Sequence, residues 1–238
     1  MIEIRDIEVV IKGFKLEIDY MDIRDGEYMI VMGPSGVGKT IFLHTIAGFI
    51  RPDEGRIYID GVDVTRLPPE ERNISIVPED YGLFPHMNVY ENISYGLKIR
   101  GYSSREIINK VTKISQYLEI NDLLHKMPSH LSAGEKQRVA IARALIIDPK
   151  ILLLDEPLKS LDPRLHIKAI SYLKNLREKL RFTALHVTHN IIEAFYLGDR
   201  ISYLSDGRLV GTYTLKEFID SEYGEEYIKG IRELSKMI

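Results

Sequence analysis

The sequence contains no cysteine and no marked excess of charge, and both features narrow the range of functions. Without cysteine the chain forms neither disulfides nor thiolate metal sites, which suits a reducing compartment. The net charge of −3 gives no basic footprint, so nucleic acid is not expected as a partner. Apolar runs are short, and none approaches the ~20 residues that span a membrane. We therefore expect no transmembrane segment, and we expect any membrane link to run through another protein.

The overall amino-acid composition is that of an ordinary soluble protein. Of the 238 residues, 45% are hydrophobic and 28% are charged, which is sufficient to bury a sizeable core. The length allows one large domain or two small ones.

Residues 33–40 form the stretch around which the rest of the chain is organised. An apolar run at 27–32 predicts a buried strand before this stretch, and apolar spacing at 41–47 predicts a helix after it. This context separates a phosphate loop from a turn that merely connects two elements. The phosphate-binding pattern G-x-x-x-x-G-K-[ST] is matched by Gly33-Pro34-Ser35-Gly36-Val37-Gly38-Lys39-Thr40.

The residue types of this loop indicate distinct chemical roles. Glycines let the backbone come close enough for N–H groups to point at phosphate oxygens. The helix that follows presents its positive N-terminal end to the same anion. Lys39 is expected to bind the β- and γ-phosphates of a nucleotide, and Thr40 to offer its hydroxyl to Mg²⁺.

Two carboxylates end a second apolar run. Residues 150–156 predict a central parallel strand with Asp155 and Glu156 at its carboxyl end, where open α/β sheets bind ligands. We expect Asp155 to hold Mg²⁺ through its water shell and Glu156 to act as general base on the attacking water. The structural alternative is that the two charges merely cap the strand.

Two further residues are candidates for contact with the nucleotide. His189 follows a predicted buried strand at 183–188, and this position favours a hydrogen bond to the γ-phosphate or the water over a structural role. Phe14 is a candidate to stack on adenine, because any base offers a π-face to an aromatic ring. A place for Phe14 in the core is an equal alternative, and Tyr20 and Tyr28 compete for the stacking role.

The remaining pattern predicts a coarse architecture of strands followed by helices and then strands again. The predicted elements are antiparallel strands over 2–23 that turn near Gly13, a strand at 55–61, helices over about 90–146 and at 161–180, a hairpin at 200–213 turning at Asp206-Gly207, and an amphipathic helical tail at 214–238.

These motifs together resemble the nucleotide-binding subunit of an ATP-binding cassette (ABC) transporter, and the resemblance runs across nearly the whole chain. Residues 131–135, Leu-Ser-Ala-Gly-Glu, stand where the family's Leu-Ser-Gly-Gly-Gln signature belongs. The other matching segments are the phosphate loop at 33–40, the Q-loop segment at 72–87, the Walker B strand with its glutamate at 151–157, the D-loop at 160–162 and the switch histidine at 188–189.

The resemblance implies a fold, two cofactors and an assembly. The implied fold class is α/β, a P-loop NTPase-like mixed core sheet with an N-terminal antiparallel β subdomain and a helical signature subdomain at about 90–146, in a single domain over 1–238. The implied cofactors are ATP and Mg²⁺. The implied assembly is an ATP-dependent, head-to-tail homodimer in which Ser132 and Gly134 contact the γ-phosphate in trans, and Asp162 of the D-loop belongs to the nucleotide site.

Four positions depart from the family pattern. Glu79 replaces the Q-loop glutamine, Ala133 the first signature glycine and Glu135 the signature glutamine, and Lys159 stands where a small residue is usual. A carboxylate is a stronger Mg²⁺ ligand than an amide, so Glu79 is expected to be a further metal ligand. Without the metal, we expect like charges to make Glu79 swing out or take up a proton.

The resemblance is strongest to importers of small solutes. Residues 84–92 and 155–158 are similar to importers that rely on an external binding protein, and 42–49 and 77–78 look most like the molybdate, tungstate and sulfate group. This implies an ATP-hydrolysing motor at the cytoplasmic face of the cell membrane, peripheral to it and bound to integral membrane permease subunits. An extracytoplasmic solute-binding protein is an indirect partner.

Two further expectations concern the permease contact and the chain length. The docking surface is expected at 79–100, where Tyr81, Leu83, Phe84 and Met87 are either anchors for a permease helix or residues of the protein's own core. Because the chain stops at 238, the C-terminal regulatory domain of many such subunits is expected to be absent.

Other functions compete with this interpretation. The solute could be a sugar, a polyamine or a metal, because specificity would lie in partner proteins. A soluble ABC ATPase without a permease is a second alternative, but the single uninterrupted cassette argues against it. A non-hydrolysing regulator would be expected to lack Glu156 or His189, and both are present.

Overall fold

The computed structural model describes residues 1–236, with side chains as far as Lys229, and divides them into two compact units. The first unit comprises residues 1–72 together with those from 183 onward, and the second comprises Asn73–Phe182. Residues 237 and 238, which end the predicted helical tail and the predicted single domain, lie outside the described residues. Within 1–236, no helix has the length and apolar character needed to cross a membrane.

Strands and helices are interleaved along the described chain. The strands are β1 (Ile2–Ile11), β2 (Phe14–Ile23), β3 (Tyr28–Met32), β4 (Glu54–Ile59), β5 (Val62–Asp63), β6 (Ile74–Val77), β7 (Ile151–Asp155), β8 (Ala184–Thr188), β9 (Arg200–Ser205) and β10 (Arg208–Thr214). The α-helices are α1 (Lys39–Ala47), α2 (Val89–Ile99), α3 (Ser104–Tyr117), α4 (Ala133–Leu145), α5 (Pro163–Leu180), α6 (Ile191–Leu197), α7 (Leu215–Ile219) and α8 (Glu222–Lys236).

The first unit is built on a mixed sheet with the strand order β5-β4-β1-β2-β10-β9-β3-β8. β1 pairs antiparallel with β2 and with β4, whereas β3 runs parallel to both β8 and β9. Every residue of β3 and β8 is buried, as is typical of parallel strands covered on both faces. The predicted antiparallel β region at the N-terminus is thus confirmed.

Tight turns in the first unit lie where the sequence predicts them. Lys12 and Gly13 form the loop between β1 and β2, and both have positive φ, 48° and 84°. Asp206 and Gly207 repeat this pattern between β9 and β10, with φ of 46° and 77°. Two consecutive positive φ angles define the turn that best suits the twist of a two-residue hairpin.

The second unit contains a parallel pair of strands, β6 and β7, together with α2 to α5. Capping boxes begin α2, α3 and α4, so in each helix the backbone N–H groups of the N-cap residue and of the third helical residue are satisfied. Helix α4 packs on α2 and on β6, where Ser75 Oγ donates a hydrogen bond of 2.7 Å to Ala144 O. Helices α2 to α4 lie within the segment predicted to be helical, at about 90–146. The mixed sheet and these helices confirm the predicted α/β fold class.

The start of α5 differs from the prediction for a physical reason. The apolar pattern places it at residue 161, but the helix begins at Pro163. Asp162 has an extended backbone, and its side chain accepts hydrogen bonds from the N–H groups of Arg164 and Leu165, at 3.0 and 3.1 Å. This N-cap, followed by proline at the first helical position, ends the loop two residues later than hydrophobic spacing indicates.

Candidate functional site

The phosphate loop connects the buried strand β3 to helix α1, in the context that the sequence predicts. Its backbone requires glycine at two positions. Gly33 has φ of 157°, and a Cβ there would collide with the carbonyl group of Leu204. Gly38, which caps α1, has φ of 99°, and a Cβ there would lie 2.7 Å from Phe14 Cζ. A larger residue at either position would disturb the loop.

Lys39 lies inside this loop, with its charge held by the backbone. Only 5% of the residue is exposed, and its ammonium donates hydrogen bonds to Gly33 O at 2.8 Å and to Pro34 O at 2.7 Å. Burial of a cation is unfavourable without such compensation, so the loop is built to hold a positive charge. Thr40 follows and is exposed. The positive end of α1, the ammonium and the hydroxyl together suit an anion.

His189 leaves the first unit's sheet at the same edge as the phosphate loop. β3 and β8 are parallel neighbours, with Met32 opposite Thr188. Gly33 and His189 are the next residues along the two strands, so both lie at the carboxyl edge, where open α/β sheets bind ligands. His189 is exposed in the turn before α6. The first unit thus brings together the phosphate loop and the predicted switch histidine.

The second unit places its candidate residues at the carboxyl ends of β6 and β7. Val77 lies opposite Leu154 in neighbouring parallel strands. Asp155 is the last residue of β7, and Glu156 and Glu79 lie in the loops that follow β7 and β6. Asp155 is 6% exposed. Glu156 has φ of 43°, a left-handed conformation that is uncommon outside glycine, and its side chain is 12% exposed. Backbone strain of this kind concentrates at functional sites.

Lys159 joins these two loops, a connection that the sequence does not indicate. Its Nζ lies 2.9 Å from Glu79 Oε1 and 3.3 Å from Glu156 Oε2. The pKa of Lys159 is raised, mainly by hydrogen bonding to Glu79 and to a smaller extent by hydrogen bonding to Glu156. The like-charge repulsion expected around Glu79 is therefore offset by a cation. Glu156 and Lys159 are close in the sequence, but Glu79 is 80 residues from Lys159, and no local pattern links them.

Tyr81 forms a second contact between the same loops. Its hydroxyl lies 2.6 Å from Ser160 Oγ, and only 5% of the residue is exposed. This favours a place for Tyr81 in the protein's own core over a role as a docking anchor. Phe84 is half-buried, with its ring centroid 4.8 Å from that of Tyr95, which is 37% exposed. Phe84 with Tyr95 therefore remains the candidate anchor.

The signature segment is the N-terminus of α4. Ser132 is the N-cap: its hydroxyl accepts from Glu135 N at 3.4 Å, and Glu135 Oε2 accepts from Ser132 N at 2.7 Å. Glutamate serves this capping box as well as glutamine would, and hydrogen bonding from the Ser132 backbone lowers the pKa of Glu135. Ala133 is the first helical residue, where a Cβ is unstrained. A Cβ on Gly134 would meet nothing within 4 Å, so the chain's own packing does not require this glycine.

The three aromatic candidates for adenine stacking differ in accessibility. Tyr28 is fully buried, and its hydroxyl lies 3.0 Å from His186 Nδ1, which excludes it from contact with a ligand. Tyr20 is 53% exposed on β2. Phe14 is half-buried at the start of β2, with its ring against Gly38 of the phosphate loop. Phe14 is therefore the best placed of the three to stack on adenine. Its half-buried ring is also consistent with the alternative that it belongs to the core.

Comparison with known proteins identifies the family. The family model for "ABC transporter" matches residues 16–159. The chain is 50% identical over 225 residues to the molybdate/tungstate import ATP-binding protein WtpC of Pyrococcus abyssi, which covers 94% of this chain and 65% of the relative. The protein of the same name from Pyrococcus horikoshii is 46% identical over 226 residues, 95% of this chain and 66% of the relative. The chain thus spans about two thirds of the length of these curated relatives.

Solved structures agree with this result. The dimeric ATP-binding cassette MJ0796, in a post-hydrolysis state bound to ADP and Pi, matches with a TM-score of 0.77 at 31% identity, over 90% of this chain and 99% of that chain. The fold is that of an ATP-binding cassette. The chain belongs to the ABC transporter family.

Proposed function

We propose that this chain is the ATP-hydrolysing motor subunit of an ABC import system. The observation that carries the proposal is the position of the phosphate loop and His189 at one edge of β3 and β8. Lys39 at the centre of the loop gives a site for a triphosphate. An exposed imidazole at the end of the neighbouring strand gives a hydrogen-bonding group for the terminal phosphate or the attacking water.

Hydrolysis is assigned to Glu156 as general base. Its carboxylate is largely buried and its backbone has a left-handed conformation, a kind of strain that concentrates at functional sites. In this role Glu156 accepts the proton of the water that attacks the γ-phosphate. His189 hydrogen-bonds the γ-phosphate or the water, and Lys39 binds the β- and γ-phosphates.

The donor groups fit Mg²⁺ as the second cofactor. Thr40 offers an exposed hydroxyl, Asp155 a buried carboxylate at a strand end, and Glu79 a further carboxylate. Hydroxyl and carboxylate oxygens are the hard ligands that this ion prefers. When bound, the ion neutralises charge on the β- and γ-phosphates.

The working assembly is proposed to be an ATP-dependent, head-to-tail homodimer. Ser132 is exposed at the N-terminus of α4, and the space beside Gly134 is open. A helix N-terminus with open space beside it suits the γ-phosphate of a nucleotide held by a second copy. Asp162, exposed at the N-cap of α5, is assigned to the same interface.

The solute is proposed to be an oxyanion such as molybdate or tungstate. The support is the 50% identity to a protein named for molybdate/tungstate import. The proposed partners are integral membrane permease subunits and, indirectly, an extracytoplasmic solute-binding protein, which places this chain at the cytoplasmic face of the membrane. Uptake of labelled molybdate by vesicles with the permease and binding protein from neighbouring genes tests this, and uptake of another solute alone would contradict it.

The ATPase proposal is tested by Lys39→Ala, with Lys216→Ala as the control for loss of an exposed lysine in the same unit. Removal of the ammonium should weaken ATP binding by about 30-fold or more, which corresponds to ~2 kcal/mol. Calorimetric titration measures the affinity, phosphate release measures the turnover, and thermal melting checks the fold. Undiminished affinity and turnover in folded Lys39→Ala would contradict the assignment.

A further inference from the structure

Lys159 and Glu79 depart from the family pattern separately in the sequence, but they meet in the structure. Lys159 Nζ lies 2.9 Å from Glu79 Oε1 and 3.3 Å from Glu156 Oε2, so one ammonium contacts the carboxylates of both loops. The side chains of Lys159 and Glu79 are 47% and 56% exposed, whereas that of Glu156 is 12% exposed. Exposed ion pairs contribute little to stability, so the pair between Lys159 and Glu79 is not expected to stabilise the fold appreciably.

The backbone brings the three side chains together. Lys159 N donates to Glu156 O at 3.2 Å, which closes a turn directly after the strained Glu156. The 2.6 Å contact between Tyr81 and Ser160 joins the same two loops beside the ammonium. The contact between Tyr81 and Ser160 and the bridge through Lys159 both connect the two loops within the second unit.

The charges explain why a cation is needed here. Two carboxylates after adjacent parallel strands repel each other, and the repulsion acts on whichever side chain is free to turn. The Glu156 side chain is largely buried, so an unbalanced Glu79, which is more exposed, would turn its own carboxylate away. A cation between them offsets that repulsion and attracts the Glu156 carboxylate towards Lys159.

We propose that Lys159 is a positioning residue for hydrolysis, which holds the Glu156 carboxylate and balances the charge of Glu79. The inference rests on the proposed function, in which Glu156 is the general base. Lys159 itself contacts neither the nucleotide nor the water in this role. Its importance depends on Glu79, because the counter-charge is needed only while residue 79 is a carboxylate.

The test is a set of paired substitutions in the full chain, with kcat and KM for ATP as the readouts. Lys159→Met keeps the aliphatic stem and removes the charge, and it should lower kcat about tenfold while KM changes by less than about twofold, within the range of measured pair couplings. Lys159→Arg should restore most of kcat. Lys174→Met, on the exposed face of α5, is the control for loss of a lysine and should leave kcat unchanged.

The double substitutions show whether Lys159 acts by balancing the charge of Glu79 or only by connecting the two loops. In the Glu79→Gln background, Lys159→Met should lower kcat by less than about threefold, because the repulsion is already gone. The exchange Glu79→Lys with Lys159→Glu rebuilds the pair between the loops but puts a carboxylate beside Glu156. We therefore expect this exchange to leave kcat as low as Lys159→Met does. Recovery of full kcat by the exchange would overturn the proposal, because it would show that the ion pair between residues 79 and 159 only connects the two loops.

Two further outcomes are decisive. Equal loss of kcat from Lys159→Met in both backgrounds, or no loss in either, would overturn the inference. Turnover of Glu156→Gln distinguishes failure of the proposed function from failure of the inference about Lys159. Wild-type turnover of Glu156→Gln would refute the proposed function. Loss of turnover in Glu156→Gln together with a wild-type kcat in Lys159→Met would refute only the inference about Lys159. If thermal melting shows that Lys159→Met is unfolded, Lys159→Gln in both backgrounds provides the same comparison.

Discussion

Phe14 is the aromatic residue that we propose stacks on the adenine of ATP. Its ring lies against Gly38, where a Cβ would come within 2.7 Å of Cζ, yet the residue is only half-buried. We predict that Phe14→Ala weakens ATP binding by about 5- to 150-fold, the ~1–3 kcal/mol of a base stacked on an aromatic ring. Tyr20→Ala, on the same strand, is the control and should leave the affinity unchanged.

Calorimetric titration with ATP measures this effect, and thermal melting separates it from a packing defect. A lower melting temperature with unchanged affinity would assign Phe14 to the core alone. Loss of affinity in Tyr20→Ala instead would transfer the stacking role to that residue.

Among the elements, three strand ends are tied together by one arginine. Arg200 begins β9, and its Nη2 lies 2.9 Å from Asp22 Oδ2 on β2 and 2.9 Å from Glu27 Oε2 just before β3. Hydrogen bonding from Arg200 lowers the pKa of Asp22 below its ordinary value of 3.8. A carboxyl group with a lowered folded-state pKa adds stability above its unfolded-state pKa, and the contribution is lost as the pH falls through the folded value.

The corresponding prediction is that Arg200→Met lowers the free energy of unfolding at pH 7 by about 1.5–3 kcal/mol, the range for hydrogen bonds to charged groups. The difference from wild type should shrink as the pH falls below about 4 and through the lowered folded-state pKa of Asp22, because protonation removes the charge that Arg200 binds. Urea unfolding at several pH values measures it. A difference that stays constant down to pH 2 would show that packing, and not charge, is lost.

The elements that could be predicted from the sequence are those determined by residues close together in the chain. The hairpin at Lys12 and Gly13 follows from a turn that requires positive φ, and the phosphate loop follows from residues 33–40 in their strand–helix context. The start of α5 was misplaced, because the capping bonds of Asp162 are invisible to hydrophobic spacing. Local pattern therefore predicts which elements exist better than where they begin.

The contacts that the sequence did not predict connect distant residues. The bridge from Glu79 to Lys159 spans 80 residues, and the contact from Tyr81 to Ser160 spans 79. Tyr28 competed for the adenine on composition alone, and only the sheet shows that it is fully buried. Partners of this kind depend on which strands become neighbours, and one sequence contains no local signal for that.

For the whole molecule, the proposed working form contains two copies of the chain. We predict that Ser132→Arg prevents the ATP-dependent dimer, because a bulky cation would occupy the space that the signature needs for a γ-phosphate held by the second copy. Ser171→Arg, at an exposed position on α5, is the matched control and should still form the dimer. Light scattering with and without ATP measures the mass, and an ATP-induced dimer of Ser132→Arg would contradict the head-to-tail arrangement.

The central claim is that this chain hydrolyses ATP with Glu156 as the base, and the turnover of Glu156→Gln tests it most directly. The amide keeps the size of the side chain but cannot accept the proton, so turnover should fall by about 10²–10⁴-fold while ATP still binds. Glu178→Gln, an exposed glutamate on α5, controls for the loss of one charge. Phosphate release at saturating ATP should show turnover near wild type for the control and almost none for Glu156→Gln. Wild-type turnover in Glu156→Gln would contradict the account.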